Sequence, residues 1–540
     1  MKHLLLPLSA GLVAVAAPAQ MSGPYLIDPA AAGAFASFTE AVNALFVNGV
    51  NGPVDIFVAP GAYTESVLFP PINGASSTNT ITFQPITTPG SVTIQGGGGD
   101  IFAMLGVAFQ HNRSVVWDGI HFVGANGHAI SGTTWVEDME VRNCYFSGDH
   151  RSTAAGEYRH AVIVSENSTG QLGWRVHHNT ITLATYTNRS SYGIYLSNGG
   201  NWEIHHNTID CNGGDYGLYL INNNTTLDKI YNNLFVGTLH QTTSTSIGQA
   251  AIKADVSNYN NQISHNTFAM TLPDNACAIS SGSTTTQSNF IYGNVFYLIG
   301  GTAIVRAVIG STSNIISDGN VFFCPGGNVG RLNASSTGTP YPTLLDWQLA
   351  NGVDTASFEG DPLLVDPFGA VPDLRPTPSS PIAGVAVNTP SWVTDDFAGR
   401  LRDANPDAGA YESTSFALFG QGCAGTGGLI PALGNSGTAQ LGSTNFAFEL
   451  TQTQPISIAV LFGGLSQLSL PLGGTCELLA SPDATVVLVT DAAGMASAPF
   501  PIPNNSALSG ANLYFQIAVS DTGSSSPLGL AFTEGGALQF

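Results

Sequence analysis

Between residues 160 and 325 the chain alternates apolar and polar positions in short paired runs. One set reads His160-Ala-Val-Ile-Val164, Tyr192-Gly-Ile-Tyr-Leu196, Tyr216-Gly-Leu-Tyr-Leu220, Ala250-Ala-Ile-Lys-Ala254, Ala276-Cys-Ala-Ile279 and Thr302-Ala-Ile-Val305. The other set places a single apolar residue among polar ones: Val176, Ile204, Ile230, Ile263 and Ile291. Alternation of period two over four to six residues predicts strands with one buried face. Each second run leads into Asn, any residue, then Ile or Phe: Asn179-Thr-Ile181, Asn207-Thr-Ile209, Asn233-Leu-Phe235, Asn266-Thr-Phe268, Asn294-Val-Phe296 and Asn320-Val-Phe322. Asn143-Cys-Tyr-Phe146 is a looser first copy, and the steps from it are 36, 28, 26, 33, 28 and 26 residues. A period of this size means one supersecondary unit stacked on the next, with no room for a helix in each. The Asn is expected at a sharp αL corner, its amide stacked on the Asn of the next coil.

The ends of this region carry other patterns. Phe35, Phe38, Val42 and Leu45 follow helical spacing. They predict an amphipathic helix over 34–47 that covers the open end of the first coil. Past residue 416 the runs Phe446–Leu450, Ile456–Leu461, Thr485–Val489 and Leu513–Val519 alternate with Gly, Pro and Ser turns. That predicts a small β-sandwich over 416–540.

The Asn repeat resembles the right-handed parallel β-helix of the pectate-lyase-like superfamily, over about residues 22–412. Pro53-Val-Asp-Ile-Phe-Val-Ala-Pro-Gly-Ala-Tyr-Thr-Glu65 is similar to the strand and turn that open such helices. Gly360-Asp-Pro-Leu-Leu-Val-Asp-Pro367, Ser380-Pro-Ile-Ala383, Asp396-Phe-Ala-Gly-Arg-Leu-Arg402 and Asp407-Ala-Gly-Ala-Tyr-Glu412 resemble a closing segment. Gly420-Gln-Gly-Cys423, Leu472-Gly-Gly-Thr-Cys476 and Thr490-Asp-Ala-Ala-Gly494 resemble a C-terminal module of exported bacterial proteins. The resemblance implies an all-β fold: a β-helix with caps over 20–412, core repeats over about 110–325, a closing segment over 355–412 and a sandwich over 416–540. In the closing segment Arg400 or Arg402 is expected to pair with Asp407 or Glu412. The superfamily holds lyases, hydrolases, adhesins and silent members, so the resemblance speaks to fold before activity.

Composition narrows the function. Of 540 residues only 9% are charged, while 43% are hydrophobic, enough for a core. Lys plus Arg number 14 against 36 acids, a net charge of −22. Nucleic acid is excluded as a partner, because it demands a basic face. Lys2 and His3 precede an apolar run from Leu4 to Ala17, and Ala17-Pro-Ala19 reads as a cleavage site. Residues 1–19 are thus expected to be a signal peptide, and no later stretch spans a membrane. The mature chain is expected to be secreted or on the cell surface, as a monomer. Cys423 and Cys476 lie alone in the C-terminal region and are the expected disulfide. Cys144, Cys211, Cys277 and Cys324 fall on distant coils and are expected to be free. No cysteine shows metal-ligand spacing.

Candidate chemistry lies on the first strand of each coil. Val162, Ile194, Leu218 and Ile252 are read as inward. The opposite parity then aligns Ile163, Tyr195, Tyr219, Lys253, Ile279 and Val305 outward, with Asp255 two residues beyond Lys253. The long loops 144–159 and 234–249 wall this stripe. Exposed Tyr195 and Tyr219 suit sugar rings, with Lys253 beside them as a third ligand-binding residue. Stacked tyrosines that merely stabilise adjacent rungs are the alternative. For a lyase, Lys253 is the candidate base, Arg159 or His160 a helper and Asp255 an orienter. A hydrolase needs facing carboxylates, for which Glu157, Glu166 and Asp215 are candidates. No cofactor is expected: Ca²⁺ wants a compact carboxylate set, and Asp210, Asp215 and Asp255 are scattered. His177 over His205 lacks a third metal ligand at Tyr231. Arg175, Glu203 and Lys229 read as a charge ladder. Three functions stay open: an exported protein that binds extracellular glycans or acts as a surface scaffold, a polysaccharide lyase or glycoside hydrolase, and a purely structural or adhesive surface protein.

Overall fold

A computed structural model describes residues 19–97, 100–104, 111–124, 127–133, 135–148, 159–165, 171–184, 190–221, 227–241, 248–255, 260–281, 289–306, 315–335, 338–377, 380–399, 402, 405–412, 416–437, 439, 442–503, 505, 508, 511–524 and 526–539. The expected signal peptide lies almost wholly outside these residues, as do Arg400 and the middles of the two long loops. Three sheets of eleven strands form a right-handed β-solenoid. The first runs from Met21–Ile27 to Ile315–Asp318, the second from Gly61–Thr64 to Phe358–Glu359, and the third from Val67–Phe69 to Thr339–Tyr341. Contacts group the chain into two units, residues up to 203 with 218–226, and residues 204–217 with 227–540.

In the first unit, helix α1 spans Phe38–Asn48 and buries Phe38, Ala41, Val42 and Leu45. It starts later than the apolar spacing predicts, because Ser37 caps it by accepting from the Glu40 N–H at 3.1 Å. Two further N-terminal donors would be left without helical partners. Glu65, the last residue of the opening motif, accepts from the N–H groups of Phe38 and Thr39 at 3.0 and 2.9 Å. Below the helix, Phe83 stacks on Trp117 at 4.7 Å and Phe122 on Phe146 at 4.9 Å. The looser first copy of the Asn repeat is offset by one residue. Cys144, not Asn143, takes the ladder position, donating its N–H to Asn179 Oδ1 at 3.0 Å.

In the second unit the amides of Asn207, Asn233, Asn266, Asn294 and Asn320 are fully buried and linked coil to coil. Two residues along, Phe235, Phe268, Phe296 and Phe322 stack inside the solenoid at 4.9–5.1 Å, with planes within 10° of parallel. The αL corner does not fall on the ladder Asn. It falls one residue earlier, on His206, Asn232 and His265 at φ 55°, 51° and 54°, and on Gly293 and Gly319. The division has a physical reason. The corner residue needs tolerance of positive φ, whereas the next residue must point its amide along the axis to reach the neighbouring coil.

The closing segment lies over the outer face of the second sheet in this unit. Leu364, Leu374 and Ala410 pack on Leu234, Val236 and Ala269, and Ile382 and Ala408 on Val295 and Val321. Arg402 Nη1 donates to Glu412 Oε1 at 2.5 Å, both side chains 2% exposed, which realises one of the expected pairings.

The C-terminal strands form a sandwich-like arrangement. One sheet runs in the order Phe416–Phe419, Gly535–Gln539, Asn512–Ser520, Ile458–Gly464, Ala484–Val489, with Leu530–Phe532 beside Asn512–Ser520. Ala432–Ser436, Ala447–Thr451 and Ala496–Pro499 make the other. Phe446, Phe448, Phe515 and Ile517 fill the core. Cys423 and Cys476 are disulfide-bonded, and Cys144, Cys211, Cys277 and Cys324 are free thiols. Burial pushes the Cys144 and Cys277 thiols up to about 12, so these two behave as small apolar side chains.

Candidate functional site

The third-sheet stripe departs from expectation in two ways. First, its register is shifted at both ends. Ile163, not Val162, pairs with Ile194, while Ile252 pairs with Ile279 and Ile279 with Ile304. Ile163 and Ile279, expected outward, are therefore on the inward ladder and fully buried. Val164 pairs with Tyr195, and Ser280 stands between Lys253 and Val305. The first strand begins at Arg159 opposite Ser190, one step away from the start that the apolar run suggests. Second, the tyrosines are covered. Tyr195 is 3% and Tyr219 9% exposed. Their rings stack at 5.3 Å, and Tyr192 meets both edge-on. Neither ring is an open platform, which corrects the expectation of solvent-facing faces. Strand alternation still sets Tyr195 on the side opposite Ile194.

Lys253 is half-buried. Its Nζ lies 3.9 Å from Asp255 Oδ2 and 5.2 Å from the centre of the Tyr216 ring. Nearby on the same strand, Gln249 Nε2 donates to Asp215 Oδ1 at 3.2 Å, and His240 Nδ1 lies 3.4 Å from the same oxygen. Asp215 is 4% exposed. Arg159 and His160 fall on strand Arg159–Ser165, but their side chains lie outside the described residues, as do Glu157 and Glu166.

The first sheet bears a charged network within the first unit. Glu140 accepts from Arg142 Nη1 at 2.6 Å and from Arg175, and lies 3.3 Å from His177 Nε2. The His177 hydrogen bond, with Arg175 and Arg142, holds the Glu140 carboxyl well below its ordinary value despite burial. Its members satisfy one another, so it is a structural network. Among the described residues no compact carboxylate set able to hold Ca²⁺ forms.

An open groove lies elsewhere, on the second sheet of the first unit. It has a volume of about 420 Å³ and is lined by Pro89, Gly90, His121, Tyr145, Phe146, Ser147, Thr180 and Thr182. Strand pairing sets His121 beside Tyr145 and Tyr145 beside Thr180. Tyr145 is 43% exposed, so part of its ring is open to solvent at the groove. His121 meets it edge-on at 6.2 Å, and its Nε2 lies 2.8 Å from Ser147 Oγ. Burial pushes the His121 imidazole down, toward its neutral form. The groove therefore offers an aromatic face, hydroxyls and an imidazole without formal charge. Sequence reading missed it, although its signal was present: Tyr145 is the middle residue of the loosest repeat copy, where later copies carry Thr, Leu or Val.

Residues 103–251 match the family model described as "Periplasmic copper-binding protein (NosD)". No curated protein matches the chain significantly. Among solved structures, pectate lyase Pel9A is 14% identical, over 73% of this chain and 97% of its own, with a TM-score of 0.33. The family 6 alginate lyase AlyGC is 13% identical, over 62% and 57%, with a TM-score of 0.29. The tailspike of E. coli bacteriophage HK620, as a double mutant, is 11% identical over 97% and 86%, with a TM-score of 0.29. At such values these likenesses carry nothing about the chemistry of this chain.

Proposed function

We propose that this chain is an exported protein that binds extracellular glycans, and that the Tyr145 groove is a binding face. The observation that carries the reading is the open Tyr145 ring beside His121, Ser147 and Thr180 on a rigid sheet. A flat apolar face rimmed by hydroxyls fits a sugar ring, and rigid mounting lowers the cost of binding. The absence of charge among the lining residues suits a neutral sugar better than a uronate. Export is supported by the Lys2-to-Ala19 pattern, by the Cys423–Cys476 disulfide and by the periplasmic description of the partly matching family. The test is binding of the full chain to neutral polysaccharides and to polyuronates, by affinity electrophoresis and calorimetry. Tyr145→Ala should weaken neutral-glycan binding about tenfold, on the scale of one aromatic contact. Unchanged binding in that variant would remove the groove from the reading.

A second reading is a polysaccharide lyase or glycoside hydrolase acting at the third sheet. Lys253 and Asp255, 3.9 Å apart beside the Tyr216 ring, favour it. Unsaturated products or new reducing ends, lost about 10²-fold in Lys253→Met, would establish it. A binder would show neither product.

A further inference from the structure

The C-terminal sandwich ends on an edge that is unusual for a soluble protein. Strand Ala484–Val489 is the last in its sheet and has one neighbour, Ile458–Gly464. Their antiparallel register runs unbroken from Ile458 opposite Val489 to Gly463 opposite Ala484. The strand reads Ala-Thr-Val-Val-Leu-Val, without charge, proline or glycine. Val486, Val487 and Val489 are 52%, 68% and 63% exposed, and Ile458 beside them is 58% exposed. Proteins normally blunt such edges with Lys, Pro or a bulge, because the unpaired backbone groups template another strand. None of those devices is present in this strand.

Charge selects the occupant. Residues 416–540 contain no Lys or Arg and six acids, Glu449, Glu477, Asp483, Asp491, Asp521 and Glu534. Two of them, Asp483 and Asp491, bracket the strand. Antiparallel pairing with a second copy would bring Asp483 of each chain beside Asp491 of the other, like charge against like charge at both ends. A strand with basic flanks meets the opposite situation. We propose that the Ala484–Val489 edge docks an extended apolar β-strand of a partner protein, flanked by Lys or Arg. Main-chain pairing would supply affinity, the exposed valines a side-chain match, and the two aspartates the choice of partner. This surface is independent of the Tyr145 groove.

The test uses the full chain and two labelled peptides that share a six-residue Thr-Val alternating core. One carries two lysines at each end, the other two glutamates. Fluorescence anisotropy should show saturable binding of the lysine-flanked peptide, at least tenfold weaker binding of the glutamate-flanked one, and weakening with salt. Val487→Glu adds a negative charge while removing apolar edge, so it separates the two contributions. It should lower affinity for the lysine-flanked peptide with thermal unfolding unchanged, whereas attraction by charge alone would raise it. The proposal is overturned if the lysine-flanked peptide does not bind, or if both peptides bind equally. It is also overturned if the wild-type chain sediments as a dimer that Val487→Glu makes monomeric, which would make a second copy the occupant. The two-peptide contrast is read on the wild-type chain, so it does not depend on the variant folding.

Discussion

Asn233 is locked to Asn266 through a single oxygen. Oδ1 of Asn266 accepts both the Asn233 side-chain amide at 2.9 Å and the Asn233 backbone N–H at 3.0 Å, with both residues fully buried. Asn266 in turn gives its own amide and backbone N–H to Asn294 Oδ1, at 3.0 and 2.9 Å. Each rung thus satisfies the ladder Asn of the rung before it, whose buried backbone N–H would otherwise go unpaired.

Replacing Asn266 by Leu removes an acceptor used twice and a donor used by the next coil. Each stranded buried group costs about 1–3 kcal/mol, so a loss of about 2–5 kcal/mol is expected. Chemical denaturation of the full chain measures it. A loss below about 1 kcal/mol would mean that the ladder is incidental to the fold.

The closing segment depends on one buried ion pair. Burial alone would push the Arg402 guanidinium down, and the Glu412, Asp396 and Asp407 carboxylates oppose that. Arg402 also reaches Asn232 Oδ1 at 2.8 Å and the Gly409 carbonyl at 2.9 Å. Glu412→Ala should cost about 3–5 kcal/mol, since it leaves a charge without its closest counter-ion. Hydrogen exchange should quicken first around Leu364, Leu374 and Ala410, where the segment meets the solenoid.

Glu140 predicts a pH dependence with a definite sign. Its folded-state pKa lies below its ordinary value of 4.5. Its stabilising contribution is therefore complete above that value and is lost as the pH falls through the folded-state value. Urea midpoints of the wild type should fall as the pH drops below about 4.5. Glu140→Gln should start lower at neutral pH and fall less over the acid range. Parallel curves for the two proteins would assign the acid sensitivity elsewhere.

The Cys423–Cys476 bond closes a loop with a sequence separation of 53 residues. Chain entropy assigns such a closure about 4 kcal/mol. Reduction, or a double replacement by Ala, should expose residues 416–540 to protease at a lower temperature than in the oxidised chain. Cleavage within the solenoid should be unaffected.

Much of the scaffold was legible in the chain because its causes are local or strictly periodic. The Asn-x-Phe phrase positions one buried amide and one ring per coil, and stacking repeats that geometry. The disulfide was legible because only two cysteines share the C-terminal region. Register was less so: alternation cannot tell Val162 from Ile163 in an apolar run where either residue could face inward, and the pairing with Ile194 decides it. Exposure was the least legible. Alternation sets Tyr195 on the outer side but says nothing of what covers that side, and the ring is almost fully buried. The same holds in reverse for the second sheet. Leu364, Leu374 and Ala410 cover Leu234, Val236 and Ala269 from 95 or more positions along the chain, while the face bearing Tyr145 and His121 stays open. Which side chain points outward is carried by a strand whose alternation is clean, and by pairing with a neighbour where the run is apolar throughout. Whether that side chain meets water depends on segments remote in sequence, and only the tertiary structure decides it.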